Sequence, residues 1–257
     1  GVYGHAFLCV GSPGMAGAAY LATKACLRSG CGKVTLATDA ETLRVLGASI
    51  PEALSYGLNF SQKNSQSANH IHKFIKSLQK ASVLGIGCGL GVSIKKTEFI
   101  KLALNKLRIP LVIDADGLNA LNAKALLERG DNEVLLTPHD GEFLKLFGVK
   151  LKPNLKTRMM VAKRLSTKYH CILLCKGYQT IVVHPSGKIF VNSSGNAGLA
   201  TGGTGDVLTG IITALIAQGF SVFNAACLGA YIHGDAADRL KKRYGMTSLI
   251  AGDLIDE

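Results

Sequence analysis

The sequence contains no tryptophan, and aromatic residues make up only 6% of its 257 positions. So few rings exclude the aromatic stacking platform on which single-stranded nucleic acid is bound. Charged residues are also scarce, at 18% against 47% apolar, the reverse of a disordered composition. No apolar run reaches the ~18 residues of a membrane-spanning helix, and no charged start leads into the apolar core of a signal peptide. Thirty glycines follow no Gly-X-Y period, so they mark tight loops rather than a collagen-like chain. The seven cysteines (Cys9, Cys26, Cys31, Cys88, Cys171, Cys175, Cys227) form no C-x-x-C pair and have no histidine at metal-ligand spacing. Free, buried thiols in a reducing cytoplasm are expected, rather than disulfides or zinc. The first residue is Gly1 rather than Met, which reads as a trimmed or partial chain.

What is present is length enough for one α/β domain over residues 1–257, with no internal repeat. Lys and Arg number 29 against 17 Asp and Glu, a net charge of +12. Such a balance attracts nucleic acid, acidic membranes or phosphate-bearing metabolites. The basic residues, however, are scattered through helical stretches such as Lys95–Arg108 and Lys241–Arg243, and read as solvated faces.

Short apolar runs alternate with longer helical patterns. Strands are expected at 6–10, 34–37, 82–86, 111–114, 134–136 and 171–174, with helices at 16–29, 94–107, 117–127, 142–147, 155–169, 204–217 and 222–241. Residues 180–184 and 188–191 flank Pro185-Ser186-Gly187, a hairpin signal. The polar stretch 56–69 reads as a surface loop. This alternation predicts a mostly parallel sheet covered by helices on both faces.

In such a sheet, ligands bind beyond the carboxyl ends of the strands. Gly11-Ser12-Pro13-Gly14 follows the first strand and precedes a helix N-terminus that favours anions. Gly87-Cys88-Gly89-Leu90-Gly91 lacks the third glycine of G-x-G-x-x-G, so it is no dinucleotide fingerprint. Asp114, Asp116 and Asn119 could hold a metal through water or cap a helix. In Thr137-Pro138-His139-Asp140-Gly141-Glu142, either Thr137 or Asp140 suits a helix cap, while His139 lies outside both neighbouring elements.

The strongest segment runs from Asn196 to Asp206, ending Thr201-Gly202-Gly203-Thr204-Gly205-Asp206 just before an apolar helix. It lacks the Gly-Lys-Ser/Thr ending of a Walker A loop. Its glycines make a nest of N–H donors at a helix start, an anion hole formed by Gly202, Gly203, Thr204 and Gly205. An aspartate in a first helical turn is favourable for structural reasons alone. Behind an anion hole it also suits a base that removes a proton from a hydroxyl as a phosphoryl group is transferred.

The segment Asn196–Asp206 resembles the signature of the ribokinase-like superfamily. The more detailed match is to the ADP/ATP-dependent NAD(P)H-hydrate dehydratases. It extends over Tyr3-Gly4-His5, Gly11-Ser12, Met15–Ala19, Gly87–Gly91, Asp114-Ala115-Asp116, Thr137–Glu142, Lys176–Thr180, Gly195–Gly210 and Tyr231–Gly234. Cys88 and Asp140 stand where that family usually has proline. The resemblance implies a nucleotide-driven repair of 6-hydroxylated NADH or NADPH. The hydroxyl is phosphorylated and phosphate eliminated, giving AMP where the nucleotide is ADP. Asp206 would be the catalytic base. Ala18, Gly89, His139 and Asp206 would bind the hydrate, and Lys176, Gly177, Tyr178, Gln179, Thr180 and Gly205 the AMP part. The resemblance also implies Mg2+ with no dedicated protein ligands identified, ADP or ATP as co-substrate, and a tetramer or larger homo-oligomer. An epimerase, fused or separate, is the expected partner, and this chain then corresponds to the C-terminal half of a bifunctional protein. The alternatives are a hydroxymethyl- or hydroxyethyl-heterocycle kinase of the same superfamily and a basic nucleic-acid-binding module. The latter has no groove-reading motif behind it, so neither nucleic acid nor membrane is an expected partner.

Overall fold

The computed structural model describes residues 2–60 and 65–257, the side chains of 65–70 excepted. Among these, nine strands form one sheet: β1 (His5–Cys9), β2 (Lys33–Thr38), β3 (Leu54–Gly57), β4 (Val83–Ile86), β5 (Leu111–Ile113), β6 (Val134–Leu136), β7 (Ile172–Cys175), β8 (Ile181–Val183) and β9 (Ile189–Val191). Their order is β3-β2-β1-β4-β5-β6-β7-β8-β9. All neighbours from β3 to β7 are parallel, and the β7–β8 and β8–β9 pairs are antiparallel. Period-two alternation divides the strands between two cores. Ala6, Leu8 and Val10 point to one, Phe7 and Cys9 to the other.

Helices α1 (Ala16–Arg28), α8 (Thr204–Ala217), α9 (Val222–Tyr244) and α10 (Asp253–Asp256) cover the first face. On the second lie α3 (Ser65–Leu78), α4 (Ile94–Lys106), α6 (Asp140–Phe147) and α7 (Leu155–Tyr169). Helix α8 is buried on every side from Val207 onward. It buries Val207, Leu208, Ile211, Ile212, Leu215 and Ile216, each worth roughly 1.5–3 kcal/mol relative to exposure. The small residues of α1 let α8 come close: a Cβ at Gly210 would fall 2.3 Å from the Ala22 carbonyl oxygen. This tight packing fixes the start of α8 above the sheet's carboxyl edge.

The structure departs from expectation at short elements. Residues 117–127 do not form one helix. Helix α5 (Asp116–Asn119) stops, and the Asn122 side chain accepts from the Ala125 N–H at 3.0 Å to open a separate 3-10 turn, Ala123–Leu126. The expected 56–69 loop is also shorter. Tyr56 and Gly57 end β3 and residues 65–69 begin α3, while 61–64 lie outside the described residues. Strand β3, helix α2 (Ala40–Leu46) capped by Asp39, helix α3 and helix α10 were not expected. All seven cysteines are free; six are buried and Cys227 is half-buried. No described helix is long and apolar enough to cross a membrane.

Candidate active site

The loops after β4, β5, β6 and β7 converge on the N-terminus of α8. Gly203 is the residue preceding α8, at φ +91°, and no side chain caps the helix. A left-handed residue there suits glycine, and an uncapped start leaves first-turn N–H groups available to an anion, although Thr204 N–H also donates to the Thr201 carbonyl at 3.4 Å. Gly202 is exposed, with open space where a Cβ would sit. The loop leading in is tied to α9. Gly195 N–H and Asn196 Nδ2 donate to the two oxygens of Asp238, at 2.7 and 2.9 Å. Asn192 Nδ2 donates to the Ala230 carbonyl at 3.0 Å.

Beside the helix start lies a buried polar cluster. Lys176, the first residue after β7, donates from Nζ to Asp114 Oδ1 at 2.7 Å and stands 3.9 Å from Glu142 Oε2. Asp114 Oδ2 accepts from Thr209 Oγ1 at 2.9 Å, with Cys88 Sγ at 3.9 Å. A Cβ on Gly205 would fall 3.5 Å from Lys176 Nζ and 3.7 Å from Asp114 Oδ2, so the lysine, the aspartate and the helix start share one space. Burial opposes the charge of Lys176, but Asp114 and Glu142 outweigh it and hold the ammonium above its ordinary range. Burial raises the Asp206 carboxyl. The Asp114 and Asp116 charges add to the rise, against the lowering effects of the Cys88 thiol and Lys176. A half-buried carboxylate made more basic beside an anion-binding helix start is an arrangement for moving a proton next to a phosphoryl group.

Neither Thr137 nor Asp140 caps α6. His139 does: its Nδ1 accepts from Gly141 N–H at 3.0 Å and Glu142 N–H at 3.3 Å, while Glu142 Oε2 accepts from His139 N–H at 2.9 Å. A ring nitrogen that accepts carries no proton, so the ring proton is assigned to Nε2, 3.4 Å from Glu142 Oε1. The Asp140 carboxylate instead receives both bonds from Nη1 of buried Arg158, each at 2.9 Å, and Arg158 Nη2 donates to the Lys176 carbonyl at 3.3 Å. Asp116 accepts from Gly91 N–H at 2.7 Å and Asn119 from Lys145 Nζ at 2.8 Å. These contacts commit the 114–119 segment to the protein itself. Among the described residues no group of three His, Cys, Asp or Glu is arranged to hold a metal.

A cavity of about 660 Å3 opens from the cluster between the hairpin and α9. Lys176, Gly177, Tyr178, Gln179 and Thr180 line it together with Thr204 and Gly205. Gly202, Gly203 and Asp206 do not line it, although they adjoin Thr204 and Gly205 in the chain. Ala18 and Gly89 meet on the opposite side: a Cβ on Gly89 would fall 2.7 Å from Ala18 Cβ, so glycine is required for this approach. Residues missed from sequence are Arg158, Asp238, Thr209 and His233. The last lines the cavity, buried, with Nε2 unpartnered among the described residues. Thr209, inside the Gly195–Gly210 stretch, and His233, inside the Tyr231–Gly234 motif, carried a sequence signal; Arg158 and Asp238 carried none.

The sequence model of the NAD(P)H-hydrate dehydratases matches residues 6–257. The chain belongs to this family. It is 36% identical over 257 residues to the bifunctional NAD(P)H-hydrate repair enzyme of Moorella thermoacetica, covering 100% of this chain and 48% of that one. To the ADP-dependent (S)-NAD(P)H-hydrate dehydratase of Neisseria meningitidis it is 37% identical over 259 residues, covering 99% and 83%. The chain thus spans about half the length of the bifunctional relative and most of the shorter one. The crystal structure of the Bacillus subtilis ADP/ATP-dependent NAD(P)H-hydrate dehydratase, co-crystallised with ATP/Mg2+ and soaked with CoA, matches with a TM-score of 0.84 at 28% identity. That match covers 99% of this chain and 89% of that one. The dehydratase family fold seen here is the ribokinase-like α/β fold.

Proposed function

We propose that the chain is a nucleotide-dependent dehydratase that restores NADH or NADPH from the 6-hydroxylated hydrate, with ADP giving AMP and phosphate. The observation that carries this reading is the placement of Asp206 in the first turn of the uncapped helix α8, coupled to the Lys176–Asp114 pair. In this reading the nucleotide occupies the cavity along Lys176, Gly177, Tyr178, Gln179, Thr180 and Gly205. The hydrate binds at Ala18, Gly89 and His139, and Asp206 lies between the two.

Asp206 takes the proton of the 6-hydroxyl, and the oxygen attacks the terminal phosphorus of the nucleotide. The bond to the departing nucleotide breaks as the new P–O bond forms. Elimination then releases phosphate from C6 and a proton from C5, restoring the ring double bond. The N–H groups of Gly202, Gly203, Thr204 and Gly205 stabilise the charge on the transferring group, which is where most of the rate comes from in phosphoryl transfer. Lys176, held charged by its partners, adds a fixed cation. A magnesium ion would enter with the phosphates of the nucleotide, since the carboxylates beside the site are committed to protein partners: Asp114 to Lys176 and Thr209, Glu142 to His139. When bound, it supplies charge neutralisation at the phosphates.

The same reading takes residues 1–257 as one dehydratase domain whose complement is an epimerase, fused or separate. It also takes the protein as cytoplasmic and homo-oligomeric, supported by the free cysteines and by exposed apolar side chains such as Phe220, Tyr231 and Ile232. The test is to incubate the protein with hydrated NADH or NADPH, Mg2+ and ADP or ATP, and to quantify dihydronicotinamide, phosphate and nucleotide product. Equal amounts of all three are expected. A stable phosphoester with no phosphate released would instead mark a small-molecule kinase.

A further inference from the structure

A second cavity, of about 610 Å3, takes no part in the chemistry above. It lies at the carboxyl ends of β1, β2 and β3 and is lined by Ser12, Thr38, Asp39, Glu41, Phe60 and Lys96, among others. Its volume suits a small-molecule ligand. In the sheet order β3-β2-β1-β4 the succession of strands reverses between β1 and β4, and a dinucleotide lies across that reversal in open parallel sheets. The Asp114–Lys176 cluster follows at β5 and β7, with the nucleotide cavity beyond it at β8 and β9. The reaction centre therefore sits between two cavities.

We propose that this second cavity holds the adenosine half of the hydrated dinucleotide and that its acidic rim selects a free ribose 2′-hydroxyl over a 2′-phosphate. The inference rests on the dehydratase reading and names the substrate that reading leaves open: NADH hydrate is preferred to NADPH hydrate.

The two halves of the ligand have a continuous path. Ser12 Oγ donates to the Gly89 carbonyl at 2.8 Å, and Gly89 is the residue in contact with Ala18 at the reacting end. Gly91 follows in the left-handed region at φ +72°. A Cβ there would meet Lys96 Nζ at 3.2 Å and Ser12 Oγ at 3.8 Å. Lys96 Nζ, which also donates to the Leu90 carbonyl, and Ser12 Oγ thus flank Gly91, whose N–H is held by Asp116, and the ammonium is the group there that suits the pyrophosphate joining the halves. Phe60 lines the cavity, its ring 5.9 Å from Lys96 Nζ and 5.7 Å from the Phe99 ring, and offers the adenine an apolar contact.

At the far end, the Asp39 carboxylate is fixed: Oδ1 accepts from Glu41 N–H and Thr42 N–H, both at 3.0 Å, and Oδ2 from Thr42 Oγ1 at 2.6 Å. Burial raises this carboxyl, but those hydrogen bonds outweigh it and keep the group ionised below its ordinary range. Glu41 lies beside it, exposed. A 2′-phosphate of charge about −1.5 to −2 would face two carboxylates, whereas a 2′-hydroxyl can donate to Glu41.

The experiment compares kcat/KM for NADH hydrate, NADPH hydrate and the hydrate of reduced nicotinamide mononucleotide, which lacks the adenosine half. For wild type, NADH hydrate should exceed the mononucleotide hydrate by about tenfold or more, the size of one aromatic contact, and should exceed NADPH hydrate as well. Phe60→Ala should narrow the first ratio. The Asp39→Asn/Glu41→Gln double variant, in which asparagine keeps the helix cap, should narrow the second. Equal kcat/KM for whole and truncated hydrates, or a NADH-to-NADPH ratio that the double variant leaves in place, would overturn the proposal. If protein that still binds ADP turns over no hydrate at all, the dehydratase reading fails and takes this inference with it.

Discussion

Lys176 Nζ donates to Asp114 Oδ1 at 2.7 Å, joining residues 62 positions apart at the ends of β7 and β5. Asp114 is 2% exposed, so its charge depends on this partner and on Thr209. Removing one member of a buried pair strands the other, at a cost of about 3–5 kcal/mol. Lys176→Met should therefore lower unfolding stability by that order. The double variant Lys176→Met/Asp114→Leu should lose less than the single one, because no charge is left unpaired. Denaturant unfolding of both variants measures this difference.

In the proposed mechanism the Asp114 carboxylate also bears on the acid limb of the activity, through Asp206. The Asp206 carboxyl stands above its ordinary range through burial and through the charges of Asp114 and Asp116, and in the proposed mechanism it is ionised when it acts as the base. kcat/KM should therefore rise with pH through a midpoint above the usual aspartate value. Asp114→Asn removes one repelling charge and leaves Lys176 without that partner. Both changes favour the Asp206 carboxylate, so the midpoint should move to lower pH. A pH profile of the variant with an unmoved or raised midpoint would contradict this coupling.

His233 connects pH to stability with a definite sign. Burial lowers its imidazole from 6.5 to about 4, with the nearby charge of Lys176 adding to the fall and the Thr204 backbone opposing it. The unfolded chain therefore binds the proton more readily than the folded one. Its contribution is complete above pH ~6.5 and is lost as pH falls from there through about 4, a total of about 3 kcal/mol. His233→Gln should flatten that part of the stability-against-pH curve, as followed by thermal unfolding at a series of pH values.

Asp140 and Arg158 together hold the start of the loop 176–180, the proposed nucleotide contact. Arg158 is buried, its Nη1 bonds both oxygens of Asp140, and its Nη2 reaches the Lys176 carbonyl. Asp140→Ala leaves a buried guanidinium short of its acceptor, at a cost of about 1–3 kcal/mol. The loss of order should extend to residues 176–180. KM for the nucleotide should rise more than kcat falls, which steady-state kinetics with varied ADP would reveal.

Elements were legible where the pattern was strong: the amphipathic helix 155–169, the glycine run before α8 and, shifted by one residue, the fully buried apolar strand β7. Length alone was not enough, since the polar run 56–69 hid the 14-residue helix α3. Helix α2 and strand β3 are only 7 and 4 residues long, and β3 is exposed at the sheet edge, so neither leaves a strong pattern. The site was legible where chemistry is written in one loop, as in Thr201–Asp206. It was not legible where two distant residues complete each other. Arg158 gives no sign in sequence that it faces Asp140, and the His139 imidazole capping α6 is rarer than the Thr or Asp that the local pattern suggests.

The central claim is that Asp206 removes the proton from the hydrate's hydroxyl at an anion hole built on α8. The most direct test is recovery of the near-ultraviolet dihydronicotinamide band from hydrated NADH with Mg2+ and ADP, for wild type and Asp206→Asn. The account predicts nucleotide-dependent recovery by wild type and a loss of about 10²–10⁴-fold in kcat for the variant, with ADP binding retained. An Asp206→Asn protein that restores the band at the wild-type rate would contradict it.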